Sequence, residues 1–286
     1  MMHYRIGGLP LTFDGHADAD LAAHLPGMGV FADNSVSEEA IRFMLDTDIS
    51  LPECQWHHRF DLADGHGECR FGTDSEGVYH YTFGGNGVLR YDPRQPETIQ
   101  CSHLGNGELL LFALWVAYGL VGLRRNVLPV HASTVVKDGR AVLCLGESGT
   151  GKSTHTRLWV NHIERAYLLN DDSPIVAVER EGVFVYGSPW SGKTPCFRQE
   201  RVPIAGFLRL EQRPENSIRR LNTLESFVAL QPSCPPSLAH EEHCLDLLTA
   251  YLSEIIRQVP VYRMGCLPDK EAALMSHNTL MPTPCS

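Results

Sequence analysis

Eight residues, Gly146-Glu147-Ser148-Gly149-Thr150-Gly151-Lys152-Ser153, satisfy the spacing G-x-x-x-x-G-K-[ST]. That spacing suits phosphate chemistry. Glycines let consecutive backbone N–H groups turn inward and form an anion nest. A helix starting at the end of the loop adds the partial positive charge of its N-terminus. In such a loop the lysine neutralises the β- and γ-phosphates and the serine hydroxyl ligates Mg²⁺. The candidate nucleotide-binding residues are therefore Gly146, Glu147, Ser148, Gly149, Thr150, Gly151, Lys152, Ser153 and Thr154, with Ser153 also a candidate metal ligand.

Two adjacent carboxylates, Asp171 and Asp172, follow downstream at the end of an apolar run. Phosphoryl transfer needs a carboxylate to hold Mg²⁺ and a base to take the acceptor's proton, and two neighbours can divide those tasks. Side chains alternate along a strand, so both reach one site only if the chain turns there, and Ser173-Pro174 supplies turn residues. The competing reading is a polar strand end. His131, in an apolar segment ahead of the loop, is either a satisfied core histidine or an acid/base group. Gly187 to Thr194 also matches the loop expression. Pro189 removes a donor there, and Trp190 is bulky where backbone must approach phosphate. That segment reads instead as a loop carrying Lys193 to a phosphate or acidic substrate, or as a surface turn.

The elements around these residues follow from pattern. Ala141 to Leu145 is a buried strand entering the glycine loop, and Thr154 to Val160 continues as a helix. Val127 to Val136 reads as one strand, joined through Asp138-Gly139 to the next in an antiparallel hairpin. Tyr167 to Asp172, Ile175 to Val178, Val183 to Tyr186, Ile204 to Leu210 and Val261 to Met264 are further strands. Helices are expected from Asn222, with Glu225 completing a capping box, over His240–Val259, and over Asp269–Leu280.

The first 105 or so residues read as β-rich, with strands near Leu9–Phe13, Gln55–Leu62, Cys69–Phe71, Val78–Phe83 and Val88–Tyr91, and a short helix over Ser37–Leu45. His57, His58 and His66 lack paired ligand spacing and read as exposed loop histidines, and His240-Glu241-Glu242-His243 as a polar helix face. Asp92 to Glu97 suggests a boundary or linker, and Glu108 to Arg125 a long helix burying one face.

Composition bounds the function. The chain has 286 residues, 43% hydrophobic and 20% charged, as expected of a soluble globule. A formal charge of −10 argues against a general nucleic-acid binder. The nine cysteines form no C-x-x-C pair, which suggests reduced, cytoplasmic usage rather than disulfides or zinc. No signal peptide is apparent at Met1-Met2-His3-Tyr4-Arg5, and Leu109–Leu123 is too short for a membrane span. No [NT]-K-x-D or L-S-G-G-Q segment points to a GTPase or an ABC-type ATPase.

The run from His131 through Gly146–Ser153 to Asn170-Asp171-Asp172 resembles the catalytic domain of bacterial HPr kinase/phosphorylase. The resemblance is good over about residues 127 to 180 and loose beyond. It implies an α/β fold: a P-loop kinase domain of the HPr-kinase/phosphoenolpyruvate-carboxykinase type with a hairpin-rich sheet, placed over residues 106–286. The smaller β-rich domain over 1–105 that precedes it is read from strand patterning and does not look like the family's usual regulatory domain. Carried over by position, Asp171 is the acid/base, Asp172 and Ser153 are the metal ligands, and His131 is an accessory acid/base or orienting group. The family's glycine-rich segment after the aspartates is absent, and Gly187 to Lys193 stands there instead.

The expected activity is transfer of phosphate from Mg²⁺-ATP to a hydroxyl of a protein, peptide or small molecule. The alternatives are a carboxykinase-like enzyme, for which Arg198, Arg201 and Arg209 are available, and a nucleotide-binding regulator with little turnover. Members of the family form hexamers, so the resemblance implies a homo-oligomer, while no interface pattern here sets a number.

Overall fold

The computed structural model describes residues 2–14, 26–35, 37, 39–62, 67–85, 87–192 and 194–282. The first sheet contains β1 (Met2–Ile6), β2 (Leu9–Asp14), β3 (Ile41–Met44), β4 (Gln55–Asp61), β5 (Glu68–Thr73), β6 (Tyr79–Phe83), β7 (Gly87–Tyr91) and β8 (Thr98–Cys101), in the order β1-β2-β3-β8-β7-β6-β5-β4. Residues expected to form a helix over 37–45 instead supply β3. Ile41, Phe43 and Leu45 are buried while Arg42 between them is exposed, the period of a strand rather than of a helix. The segment 92–97 is a turn inside the sheet rather than a linker, because β8 follows it and pairs with both β7 and β3.

Helix α1 (Gly107–Leu123) comes next, starting at Asn106, whose side chain caps the Glu108 N–H. The expected single buried face is too narrow a description. From Val116 to Leu123 every residue is buried, and Gly122 lets the helix close on the strand after it, since a Cβ there would lie 2.3 Å from the Val127 carbonyl oxygen. No helix among the described residues is long and apolar enough to cross a membrane.

The second half adds β9 (Val127–Pro129), β10 (Ala132–Lys137), β11 (Arg140–Leu145), α2 (Lys152–His162), β12 (Tyr167–Asp172), β13 (Ile175–Glu179), β14 (Gly182–Tyr186), β15 (Arg201–Gln212), β16 (Ser217–Arg220), α3 (Thr223–Leu230), α4 (Glu242–Gln258), β17 (Val261–Cys266) and α5 (Lys270–Leu280). The strands run β12-β10-β11-β15-β14-β13-β9, with β17 on β15 and β16 on β17. The sheet curls at β15, whose first residues pair antiparallel with β14 while its later ones pair parallel with β11 and β17. Asp138 and Gly139 both take positive φ, as the tight β10–β11 hairpin requires, and the Asn222–Glu225 capping box is present at α3. The strand expected over 127–136 is broken at Val130-His131. Val130 N–H donates to the Pro174 carbonyl and His131 N–H to that of Ser233, so β9 joins β13 while β10 goes to β11 and β12.

One buried apolar cluster reaches from Tyr4 to Val261 through both sheets and α1. Polar contacts reinforce it: Tyr79 Oη donates to Glu241 and Tyr81 Oη to Ser237 Oγ, each 2.8 Å. Glu241 proves to be the N-cap of α4 rather than part of a polar helix face. His57 and His58 stand on β4, half-buried rather than in a loop, and His66 lies outside the described residues. The His58 ring stacks on His240 at 3.8 Å with 5° between planes. Burial, then the neighbouring imidazole, holds the His58 pKa below its usual value. Trp56, His57, Arg59 and Arg70 line the same recess and supply no carboxylate to offset added charge.

An unfolded histidine titrates near 6.5, so the unfolded chain binds more protons than the folded one as pH falls below that value. The contribution of His58 to stability is therefore full at neutral pH and drops as pH falls from about 6.5 toward its lower folded pKa. His240→Gln is expected to shallow that drop in a series of thermal melts between pH 7 and 5. Parallel curves for variant and parent would exclude the stack as the cause.

Candidate functional site

Register brings the site together. In the β10–β12 ladder Ala132 faces Asp172 and Ser133 faces Asp171, while in the β10–β11 ladder Ala132 faces Leu145. The start of β10, the end of β11 and the end of β12 therefore converge, and the loop 146–151 leaves from that point. A cleft of about 380 Å³ lies there, lined by His131, Ser133, residues of the loop and of α2, Asp171, Asp172, Gly192 and Thr194.

The loop adopts what its glycines permit: Gly146, Gly149 and Gly151 have φ of 152°, 81° and 101°. It closes on itself through Thr150 Oγ1 donating to the Glu147 carbonyl, and Gln212 on β15 braces the Gly149 carbonyl from outside. Helix α2 begins at Lys152, and its first turn closes with His155 N–H donating to the Gly151 carbonyl. The N–H groups of Lys152, Ser153 and Thr154 precede that bond and stay free of helical partners, as at any helix start. An anion at this end meets aligned donors and a favourable dipole.

Lys152 is folded back on its own loop. Its Nζ donates to the carbonyls of Gly146 at 2.8 Å and Glu147 at 3.2 Å, and lies 2.9 Å from His131 Nε2. Burial lowers its pKa, against the pull of the Asp172 and Glu147 carboxylates. Burial and then the Lys152 cation also lower the pKa of His131, so the imidazole is neutral near pH 7. With Nε2 accepting from the ammonium, the ring proton resides on Nδ1, which faces Asp172 Oδ1 at 3.5 Å.

Asp171 is 4% exposed, and its Oδ1 accepts from Ser133 Oγ at 2.7 Å. Since that hydroxyl has one proton, Thr156 Oγ1, 2.8 Å away, must donate to Ser133 in turn. Asp172 Oδ2 accepts from Ser173 Oγ at 3.1 Å. The turn that lets both carboxylates line one cleft is made by Asn170, whose Oδ1 accepts from the N–H groups of Asp172 and Ser173. Asn170 is itself fixed by Nδ2 donating to Ser188 and to the Trp190 carbonyl. The segment 187–192 thus braces the aspartates. Gly192 N–H donates to the Asp171 carbonyl at 2.7 Å, and a Cβ on Gly192 would also lie 2.7 Å from that oxygen.

The cleft unites His131, Lys152, Ser153, Asp171 and Asp172. Lys193 lies outside the described residues, and its neighbours Gly192 and Thr194 line the cleft. Sequence reasoning missed Ser133, Thr156 and Asn170, whose roles depend on register, and Arg157, which one helical turn from Ser153 would have signalled. Of the arginines considered for substrate binding, Arg198 lies over the Tyr167 ring, Arg201 pairs with Glu179, and Arg209 holds Glu147 at 2.6 Å. A second recess, lined by Gly149, Thr150, Gly151, Thr154, Leu158, Gln212, Arg213, Leu267 and Pro268, opens on the other side of the loop.

Ser153 hydroxyl and the Asp172 carboxylate are hard oxygen donors, as Mg²⁺ prefers. No group of three or more His, Cys, Asp or Glu able to hold a metal occurs among the described residues. One or two protein ligands with phosphate oxygens and water is the usual arrangement for Mg²⁺, so the donor set fits that ion.

No family model matches the chain, and no curated protein is significantly similar to it. Among solved structures the chain is similar to the HPr(Ser) kinase/phosphatase from Coxiella burnetii, at 13% identity over 54% of this chain and 99% of that one, with a TM-score of 0.32. The likeness is distant.

Proposed function

We propose that this protein transfers the terminal phosphate of ATP to a hydroxyl. The observation that carries the reading is the convergence of the loop 146–153 with Asp171, Asp172 and His131 on one cleft. The loop and the start of α2 hold the phosphates. The recess beyond Gly149, with Leu158, Leu267 and Pro268 on its wall, takes the nucleoside side. Ser153 and Asp172 hold Mg²⁺, which when bound offsets the negative charge of the phosphate oxygens.

The acceptor's hydroxyl oxygen attacks the terminal phosphorus, and the bond from that phosphorus to the ADP oxygen breaks. The hydroxyl proton goes to Asp171. Ser133 occupies Oδ1, which leaves Oδ2 to receive it. His131, neutral and tethered between Lys152 and Asp172, orients both. Aligning the reactants and stabilising charge supply most of the rate in such a reaction.

Incubation with γ-labelled ATP, Mg²⁺ and a panel of free serine, other hydroxy compounds, peptides and oxaloacetate tests the reading. Label on a hydroxyl acceptor is the expected result. Label on a product of oxaloacetate alone would replace the kinase with a carboxykinase, and tight ATP binding without transfer to any member would leave a regulator.

A further inference from the structure

We infer that Arg157 selects the acceptor by gripping a carboxylate on it, so that the acceptor is a small hydroxy acid. This rests on the kinase reading of the cleft. Helix geometry separates two sides of α2. Ser153 and Arg157, one turn apart, both line the cleft with the aspartates and not the recess, whereas Leu158 lines only the recess on the nucleoside side and Thr154 borders both. Phosphates held at the start of α2 end beside Ser153. Arg157 lies four residues further along the helix, roughly 6 Å at the usual rise, and so beyond the terminal phosphate on the acceptor's side.

The charges around the cleft make the same point. Lys152 is committed to two carbonyls and His131, and Arg209 to Glu147 and the Ala229 carbonyl. The Arg157 side chain is exposed and has no hydrogen bond or ion pair among the described residues, although Asp171 and Asp172 line the same cleft. An anionic acceptor would be repelled by those two carboxylates if nothing opposed them. A guanidinium at the outer end offsets that repulsion and offers a planar fork matched to a carboxylate. The acceptor then lies with its hydroxyl toward Asp171 and its carboxylate toward Arg157. A cleft of about 380 Å³, shared with the terminal phosphate, leaves space for a molecule of few atoms.

Product analogues test this without turnover. Protein saturated with Mg²⁺-ADP is titrated calorimetrically with 2-phosphoglycolate, with O-phospho-L-serine and with ethyl phosphate, which has no carboxylate. The parent is expected to bind one or both carboxylates about 10- to 100-fold more tightly than ethyl phosphate, the scale of a charge-assisted contact. Arg157→Ala is expected to erase that preference while keeping the parent's affinity for Mg²⁺-ADP and for ethyl phosphate. Arg157→Lys should restore part of it.

Equal binding of all three by the parent, or of none, overturns the inference. So does an Arg157→Ala loss that falls equally on ethyl phosphate, since Arg157 would then read the phosphate. If Mg²⁺-ADP itself fails to bind, the kinase reading falls and this inference with it. If Mg²⁺-ADP binds without a carboxylate preference, this inference alone fails.

Discussion

Asp171→Asn is expected to bind Mg²⁺-ATP as the parent does and to transfer its phosphate about 10² to 10⁴ times more slowly, the usual contribution of a positioned base. The amide keeps the shape of the carboxylate, and its oxygen still accepts from Ser133 Oγ, so the hydrogen-bonded row of Thr156, Ser133 and residue 171 survives. The backbone brace from Gly192 is untouched because it uses the residue 171 carbonyl. What is lost is the free carboxylate oxygen to which the proposed mechanism assigns the proton. Ser153 and Asp172 remain for the metal. Single-turnover transfer of label to the acceptor found in the panel gives the rate, and calorimetry gives the affinity. Transfer at the parent rate would mean Asp171 is not the base. If Asp172→Asn instead abolishes turnover while metal binding persists, the two carboxylates exchange roles. Slow ATP hydrolysis serves as a substitute readout with water in place of the acceptor hydroxyl.

Much of this site is local in the chain and therefore visible in sequence. The loop 146–153, the strand before it and the helix after it are contiguous, and each has its own signature of glycine spacing or apolar run. The Asp138-Gly139 hairpin is equally local, and it implied that β10 lies beside β11. That β12 takes the other edge of β10 is a non-local pairing, which the resemblance implied only as order along the chain. The partners that hold Asp171, namely Ser133 at 38 residues' separation and Thr156 beyond it, follow from that register and carry no motif.

The break at Val130-His131 was hidden for a similar reason. Val127 to Val136 is mostly apolar, and it is distant carbonyls of Pro174 and Ser233 that divide it. Strand β3 is hard to see for a different reason: Ile41, Phe43 and Leu45 alternate in a segment short enough to pass for a helical turn. Arg157 is legible from its spacing to Ser153, although it belongs to no motif.

Lys152→Met is expected to weaken binding of a non-hydrolysable ATP analogue by about 10- to 150-fold while leaving the fold intact. The ammonium now spends its three protons on the Gly146 and Glu147 carbonyls and on His131 Nε2. Phosphates must draw it away from these, so its net worth is the difference between two sets of contacts rather than a full charge–charge attraction. Hydrogen bonds to charged groups contribute about 1.5–3 kcal/mol net, which sets the stated range. Stability should fall only modestly, by about 1–3 kcal/mol at most, because the buried Gly146 carbonyl loses this donor. Burial already disfavours the charged form of Lys152, and methionine fills much of the same path with an apolar chain. The Glu147 carbonyl stands on an exposed loop where water replaces the lost donor. Titration calorimetry with the analogue, paired with thermal melts of both proteins, separates the two effects. Unchanged affinity in a folded Lys152→Met protein would remove Gly146 to Ser153 as the nucleotide site. A large fall in melting temperature with the affinity loss would instead assign Lys152 to holding the loop closed, its carbonyl contacts being structural rather than a resting position.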